Sequence, residues 1–69
     1  MVAPMLTPRE RDLLDAILDG CSNKEIAARL RLSVQTVKNR LPGLYAKFGV
    51  SSRLELATRA RRRRLENRE

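Results

Sequence analysis

The chain has 69 residues, a net charge of +7 and a pI near 11.1. Its single cysteine, Cys21, and its lack of histidine exclude an internal disulfide and any zinc-type ligand set, so helix packing must carry the fold. No apolar run approaches a membrane span or a secretory segment, and one Tyr with one Phe offers little surface for stacking unpaired bases.

In chain order, residues 1–5 read as an N-terminal extension and LTPRE opens the first helix. Thr7 is its N-cap, Pro8 takes the first helical position, and Glu10 completes a capping box. Leu13, Leu14, Ile17 and Leu18 recur at helical spacing, and Gly20 follows as the left-handed terminator, giving a helix over about 8–19. Ser22 with Glu25 makes the next box. Ile26, Ala27 and Leu30 form the apolar face of a short second helix over 23–30, which cannot be stable alone. The link RLS follows, with Leu32 turned to the core and Ser33 as the next N-cap.

The third helix raises a question of its own, because NRLPGLYAKFGV sets Pro42 beside Gly43. Proline in a helix interior costs about 3 kcal/mol and glycine about 1 more. Yet Val34, Val37, Leu41, Leu44 and Phe48 keep a spacing of 3, 4, 3 and 4 across the pair. At about 100° per residue all five fall on one side, and a break would reset that phase. The spacing therefore predicts one helix over 34–48, with Pro42 and Gly43 away from the core and Tyr45 packing beside it. Ser52 with Glu55 makes a third capping box, and a fourth helix over 53–64 turns Leu56, Ala57 and Ala60 inward. Residues 63–69 read as a basic, fraying tail. The fold class is all-α, four helices in one domain over 6–62.

Charge is spread unevenly along these elements. Residues 1–22 carry two cations against four carboxylates, residues 23–50 carry six against one, and residues 51–69 carry seven against three. The positive charge thus begins with the second helix, as on a surface that meets a polyanion. A short helix, a tight link and a longer amphipathic helix in a basic region describe a helix-turn-helix, whose second helix enters the DNA major groove. Opposite the apolar side of that helix lie Gln35, Lys38, Asn39, Pro42 and Ala46. Gln and Asn match adenine edges, and Lys donates to guanine. Arg31, Arg40 and Lys47 flank this face within reach of phosphates. No nucleophile stands with a base, and no glycine loop cradles a phosphate, so catalysis has no foothold. Cys21, without a second cysteine, reads as a small half-buried hydrophobe rather than a redox sensor.

The motifs TPRE, SNKEIA, S-x-x-TVK and K-x-GV-x-SR, spread over Leu6 to Ala60, resemble together the LuxR-type (GerE-like, response-regulator effector) DNA-binding domain. The resemblance implies sequence-specific binding of double-stranded DNA for transcription regulation in the cytoplasm, with the third helix in the major groove. It also implies a homodimer through the fourth helix and RNA polymerase as a possible partner. Neither a membrane nor a small-molecule ligand, cofactor or metal enters this scheme. Carried across residue by residue, it assigns Lys38, Asn39 and Pro42 to the base-facing surface, with Gln35 beside them. It assigns Asn23, Lys24, Ser33, Thr36 and Lys47 to the DNA backbone, where Arg40 also falls, and it suggests a structural pair between Glu10 and Arg53. Two positions depart from the family pattern: Arg40 stands where His is usual, and Pro42 where a polar or basic residue is usual. LTPRERDLL and TVKNRL also resemble sigma-factor promoter-reading domains, although KFGVSSRLELA does not. Pro42 raises a third alternative, a protein-interaction module that keeps the fold with DNA reading weakened. The chain is either a single-domain regulator or part of one that carries a receiver or sensor domain elsewhere.

Overall fold

Every helix starts on a hydroxyl side chain, and these caps set the element boundaries. The computed structural model describes residues 5–66, and side chains to residue 62; the remainder of the N-terminal extension and of the basic tail lies outside the described residues. Four helices result: α1 (Pro8–Leu18), α2 (Asn23–Leu30), α3 (Val34–Phe48) and α4 (Arg53–Glu66). No strand occurs among the described residues, and the fold is all-α with four helices, as expected.

The two N-terminal boxes form as read. Thr7 Oγ1 accepts from the Glu10 amide at 3.1 Å, while the Thr7 amide donates to Glu10 Oε1 at 2.9 Å. Ser22 and Glu25 repeat this at 3.1 and 2.7 Å. Ser33 Oγ accepts from the Thr36 amide at 3.0 Å and starts α3. At α4 the box is altered. Ser52 Oγ accepts from the Glu55 amide at 3.2 Å, but the Glu55 carboxylate passes Ser52 and takes the Ser51 amide and hydroxyl at 2.9 and 3.1 Å. A glutamate at the third helical position can reach either residue, and here it ties down the start of the turn as well.

The helix ends are closed just as systematically. Gly20 and Gly49 take left-handed conformations with φ of +84° and +66°. Around them the Cys21 amide donates to the Ala16 carbonyl and the Val50 amide to the Tyr45 carbonyl, both at 3.1 Å. The end of α2 is different, because Arg31 adopts the left-handed region (φ +59°) with no glycine to ease it. That conformation costs an ordinary residue about 1–2 kcal/mol. The tight turn holds it there: Leu32 donates to the Ala27 carbonyl at 2.9 Å and packs half-buried against the core. Finally, α4 donates side chains to the ends of two neighbours. Arg59 Nη1 bonds the Phe48 carbonyl and Arg61 Nη2 the Leu18 carbonyl, each at 3.0 Å. Cations at C-terminal carbonyls also suit the helix dipole.

The core holds only apolar side chains; among the described residues no polar or charged one is buried. Ile26, Val37, Leu44 and Leu56 are its fully buried centre, one from each of α2 and α4 and two from α3. Ala16, a small residue of α1, is fully buried as well. One core expectation fails. Val34 is 38 % exposed. It is the first residue of α3, and helical side chains lean toward the N-terminus, so Val34 points past the end of the packed layer. Across Pro42 the helix is continuous from Val34 to Phe48. Pro42 and Gly43 are both exposed, and the carbonyl that loses its donor, that of Lys38, lies on the outer side.

The glycine inside α3 and the one that caps it should therefore respond oppositely to alanine. A Cβ at Gly43 meets nothing within 4 Å, and Gly43 has ordinary helical geometry, so Gly43→Ala raises the unfolding free energy by about 0.5–1 kcal/mol. A Cβ at Gly49 meets only Arg59 Nη1 at 3.9 Å, but φ is positive, so Gly49→Ala lowers it by about 1 kcal/mol. Urea unfolding followed by circular dichroism reads both shifts.

Candidate nucleic-acid interface

Burying Val37, Leu41, Leu44 and Phe48 leaves the opposite side of α3 in solvent: Gln35, Lys38, Asn39, Pro42, Gly43 and Ala46 are all exposed. Of these, Gln35, Asn39, Pro42 and Ala46 fall on one stripe by their 4, 3, 4 spacing, with Lys38 along its edge. The first half of the stripe is polar and internally ordered. Gln35 Nε2 donates to Asn39 Oδ1 at 3.0 Å, one turn along the helix. This bond orients the two amides relative to each other and leaves Gln35 Oε1 as an acceptor and Asn39 Nδ2 as a donor. The second half of the stripe, Pro42 and Ala46, carries no side-chain polar atom.

Residues carried over as backbone contacts divide into two groups. Lys24 and Arg40 are exposed and make no hydrogen bond or ion pair with the described residues. Ser33 and Thr36 share a hydroxyl contact at 2.8 Å at the start of α3, where the free amides of the first turn also lie. Asn23 and Lys47, by contrast, are engaged within the protein. Arg53 Nη2 donates to Asn23 Oδ1, joining the starts of α4 and α2. With its oxygen so held, the Asn23 amide presents its N–H groups away from Arg53. Lys47 Nζ donates to Glu10 Oε1 at 2.6 Å and to the Met5 carbonyl at 2.9 Å.

These bonds correct the suggested pair of Glu10 and Arg53. Glu10 is the third residue of α1, and its capping role turns the carboxylate back toward Thr7, where the C-terminal end of α3 brings Lys47. Arg53 starts α4 beside α2 and finds Asn23 instead. Its Nε is buried without an acceptor, so the Asn23 bond is the polar anchor of a guanidinium lodged between the two helices. Sequence reasoning also missed the two capping arginines, Arg59 and Arg61, because charge alone does not reveal which cations face a helix end.

With this geometry in place, comparison with known proteins decides the family. The sequence profile of the luxR family of bacterial regulatory proteins matches residues 4–60. The chain belongs to the luxR family. The match extends over the closing KFGVSSRLELA, the segment in which the chain does not resemble sigma-factor domains. LuxR-family membership makes this a DNA-binding domain of transcription regulation. A protein of Mycobacterium bovis named as an HTH-type transcriptional regulator is 48% identical over 58 residues, covering 84% of this chain and 7% of that protein. The transcriptional regulatory protein NarL of Mycobacterium tuberculosis is 45% identical over 64 residues, covering 93% of the chain and 30% of its own length. Response regulator Rre1 of Synechocystis is 48% identical over 50 residues, 72% of the chain and 22% of Rre1. The chain thus spans less than a third of each of these relatives. No solved structure matches it. Among the described residues no helix is long and apolar enough to cross a membrane.

The Lys47–Glu10 contact has a pH signature. The Lys47 hydrogen bond, then the Thr7 amide, holds the Glu10 carboxyl below its usual range. The Ser51 amide and hydroxyl do the same for Glu55. For a depressed carboxyl, the stabilisation is fully present above the unfolded-state pKa and is lost as pH falls through the folded one. Melting temperature should therefore drop as pH is lowered through and below the ordinary carboxylate range. In Glu10→Gln that drop is shallower, with a lower plateau at neutral pH.

Proposed function

We propose that this domain binds double-stranded DNA with sequence specificity by laying α3 in the major groove, as a dimer formed through α4. The observation that carries the reading is the outer stripe of α3, where polar groups free of the core are held in a fixed array. Gln35 Oε1 and Asn39 Nδ2 supply the acceptor and donor that an adenine edge requires, and Lys38 beside them donates to guanine N7 and O6. Lys24, Arg40, Ser33, Thr36 and the amide end of Asn23 flank the groove and serve phosphates, together with the free amides that begin α2 and α3. Lys47, held by Glu10 and by the Met5 carbonyl, keeps one N–H donor on its ammonium group and can still face a phosphate. The dimer is supported by Leu54, an apolar side chain 76 % exposed on the first turn of α4. Output at a promoter through contact with RNA polymerase and residence in the cytoplasm complete the reading.

Selection of bound duplexes from a random pool, followed by binding across a salt series, tests it. The expected result is an enriched site containing adenine and guanine steps, with affinity falling steeply as salt rises. Asn39→Ala and Lys38→Ala each cost about 1–3 kcal/mol on that site and relax one base position. Lys24→Ala weakens all duplexes alike and lowers the salt slope by about 1. Absence of duplex binding at low salt would sink the proposal, and self-association without DNA affinity would point to an interaction module instead.

A further inference from the structure

The smooth half of the α3 stripe calls for its own explanation. Pro42 and Ala46 sit one turn apart on the side away from the core, and Gly43 adjoins them with open space where a side chain would be. None of these residues offers a side-chain donor or acceptor, and Pro42 lacks even a backbone N–H. Directly before them stand Gln35 and Asn39, tied to each other. If α3 reads the groove as proposed above, on which this inference rests, the surface facing the base edges changes from polar to apolar between Asn39 and Pro42. Of the groups exposed in the major groove, only the pyrimidine C5-methyl is recognised by apolar contact rather than by hydrogen bonds. The pyrrolidine ring suits such a contact. It is rigid, it loses no rotamer freedom on binding, and the missing side chain of Gly43 lets the helix lie close.

We propose that Pro42 is a specificity-determining residue that packs on the C5-methyl of a thymine in the operator half-site, one turn of α3 beyond the bases read by Gln35 and Asn39. Pro42 then substitutes methyl reading for polar reading, so the departure from the family pattern changes the preferred sequence without abolishing binding. A 5-methylcytosine carries the same methyl, and the test separates the two sources.

The experiment starts from the duplex selected with the 69-residue chain. Each thymine is replaced in turn by deoxyuridine, which deletes the methyl and leaves base pairing intact. At one position per half-site the loss is expected to be about fourfold in affinity, the value of burying one methyl group. At that position cytosine and 5-methylcytosine are then compared, and the methylated base binds about fourfold tighter if the methyl itself is read. In Pro42→Ser, which restores the amide and removes the ring, the methyl effect is expected to vanish while helix content by circular dichroism is kept. Should every deoxyuridine duplex bind like the parent, or Pro42→Ser retain the full methyl effect, the inference falls while DNA reading stands. A pool that yields no enriched sequence overturns the proposed function, and this inference with it.

Discussion

The register of α3 against the core is the constraint on which the rest of this small domain depends. Val37, Leu41, Leu44 and Phe48 bury one side of that helix, and two of them are fully excluded from solvent. Rotating α3 by one residue, about 100°, would carry Lys38 toward the core and turn a leucine outward. Neither outcome is tolerable in a core without a polar side chain, since a buried unpaired ammonium would outweigh the whole stability of so short a chain. The apolar spacing thus sets which residues face outward, Gln35, Lys38, Asn39 and Pro42 among them. Pro42 and Gly43 are permitted only because they fall on that outer face, where water can serve the carbonyl that proline deprives of its donor.

Around this helix the other three act as clamps on its ends as well as on its side. Its N-terminus is capped by Ser33 and set by the left-handed turn at Arg31. At the other end its last carbonyl is held by Arg59 from α4, and Lys47 is held by Glu10 from α1. A second layer links the clamps to one another: Arg53 joins α4 to α2, and Arg61 joins α4 to the end of α1. Helices as short as α2 have no independent stability, so these end contacts and the shared apolar centre are what make the unit cooperative.

Local chemistry explains why most of the fold could be read from the chain. Capping boxes at Thr7–Glu10 and Ser22–Glu25, glycines at 20 and 49, and the 3-4 spacing of α3 each act within four residues, so each leaves a mark in the sequence. What escaped is non-local or depends on an end effect. Val34 has the right spacing for the core but no neighbour above it, because the helix begins there. Arg31 adopts a glycine-like conformation that the tight link imposes. The partners of Glu10 and Arg53 could not be settled by spacing, since each carboxylate or guanidinium can reach several elements and only the packing decides which. The outer stripe of α3 was legible as a set of residues, whereas the bond between Gln35 and Asn39 depends on side-chain rotamers that spacing does not specify.

The same point changes what the net charge means. A value of +7 suggests a uniformly adhesive surface, yet several cations are already engaged within the protein. Arg29 pairs with Asp19 at 2.8 Å, Lys47 with Glu10, and Arg53, Arg59 and Arg61 donate to an amide or to helix-end carbonyls. Those side chains fix the geometry of the domain, and Arg53, Arg59 and Arg61 still add to its long-range field, because a hydrogen bond to a neutral carbonyl does not cancel charge. Lys24, Lys38 and Arg40 are exposed and uncommitted among the described residues, and they lie on the two helices of the helix-turn-helix. The division separates two tasks that composition merges. Arg53, Arg59 and Arg61 hold the scaffold and still attract a polyanion at a distance, while Lys24, Lys38 and Arg40 keep their charged ends in solvent.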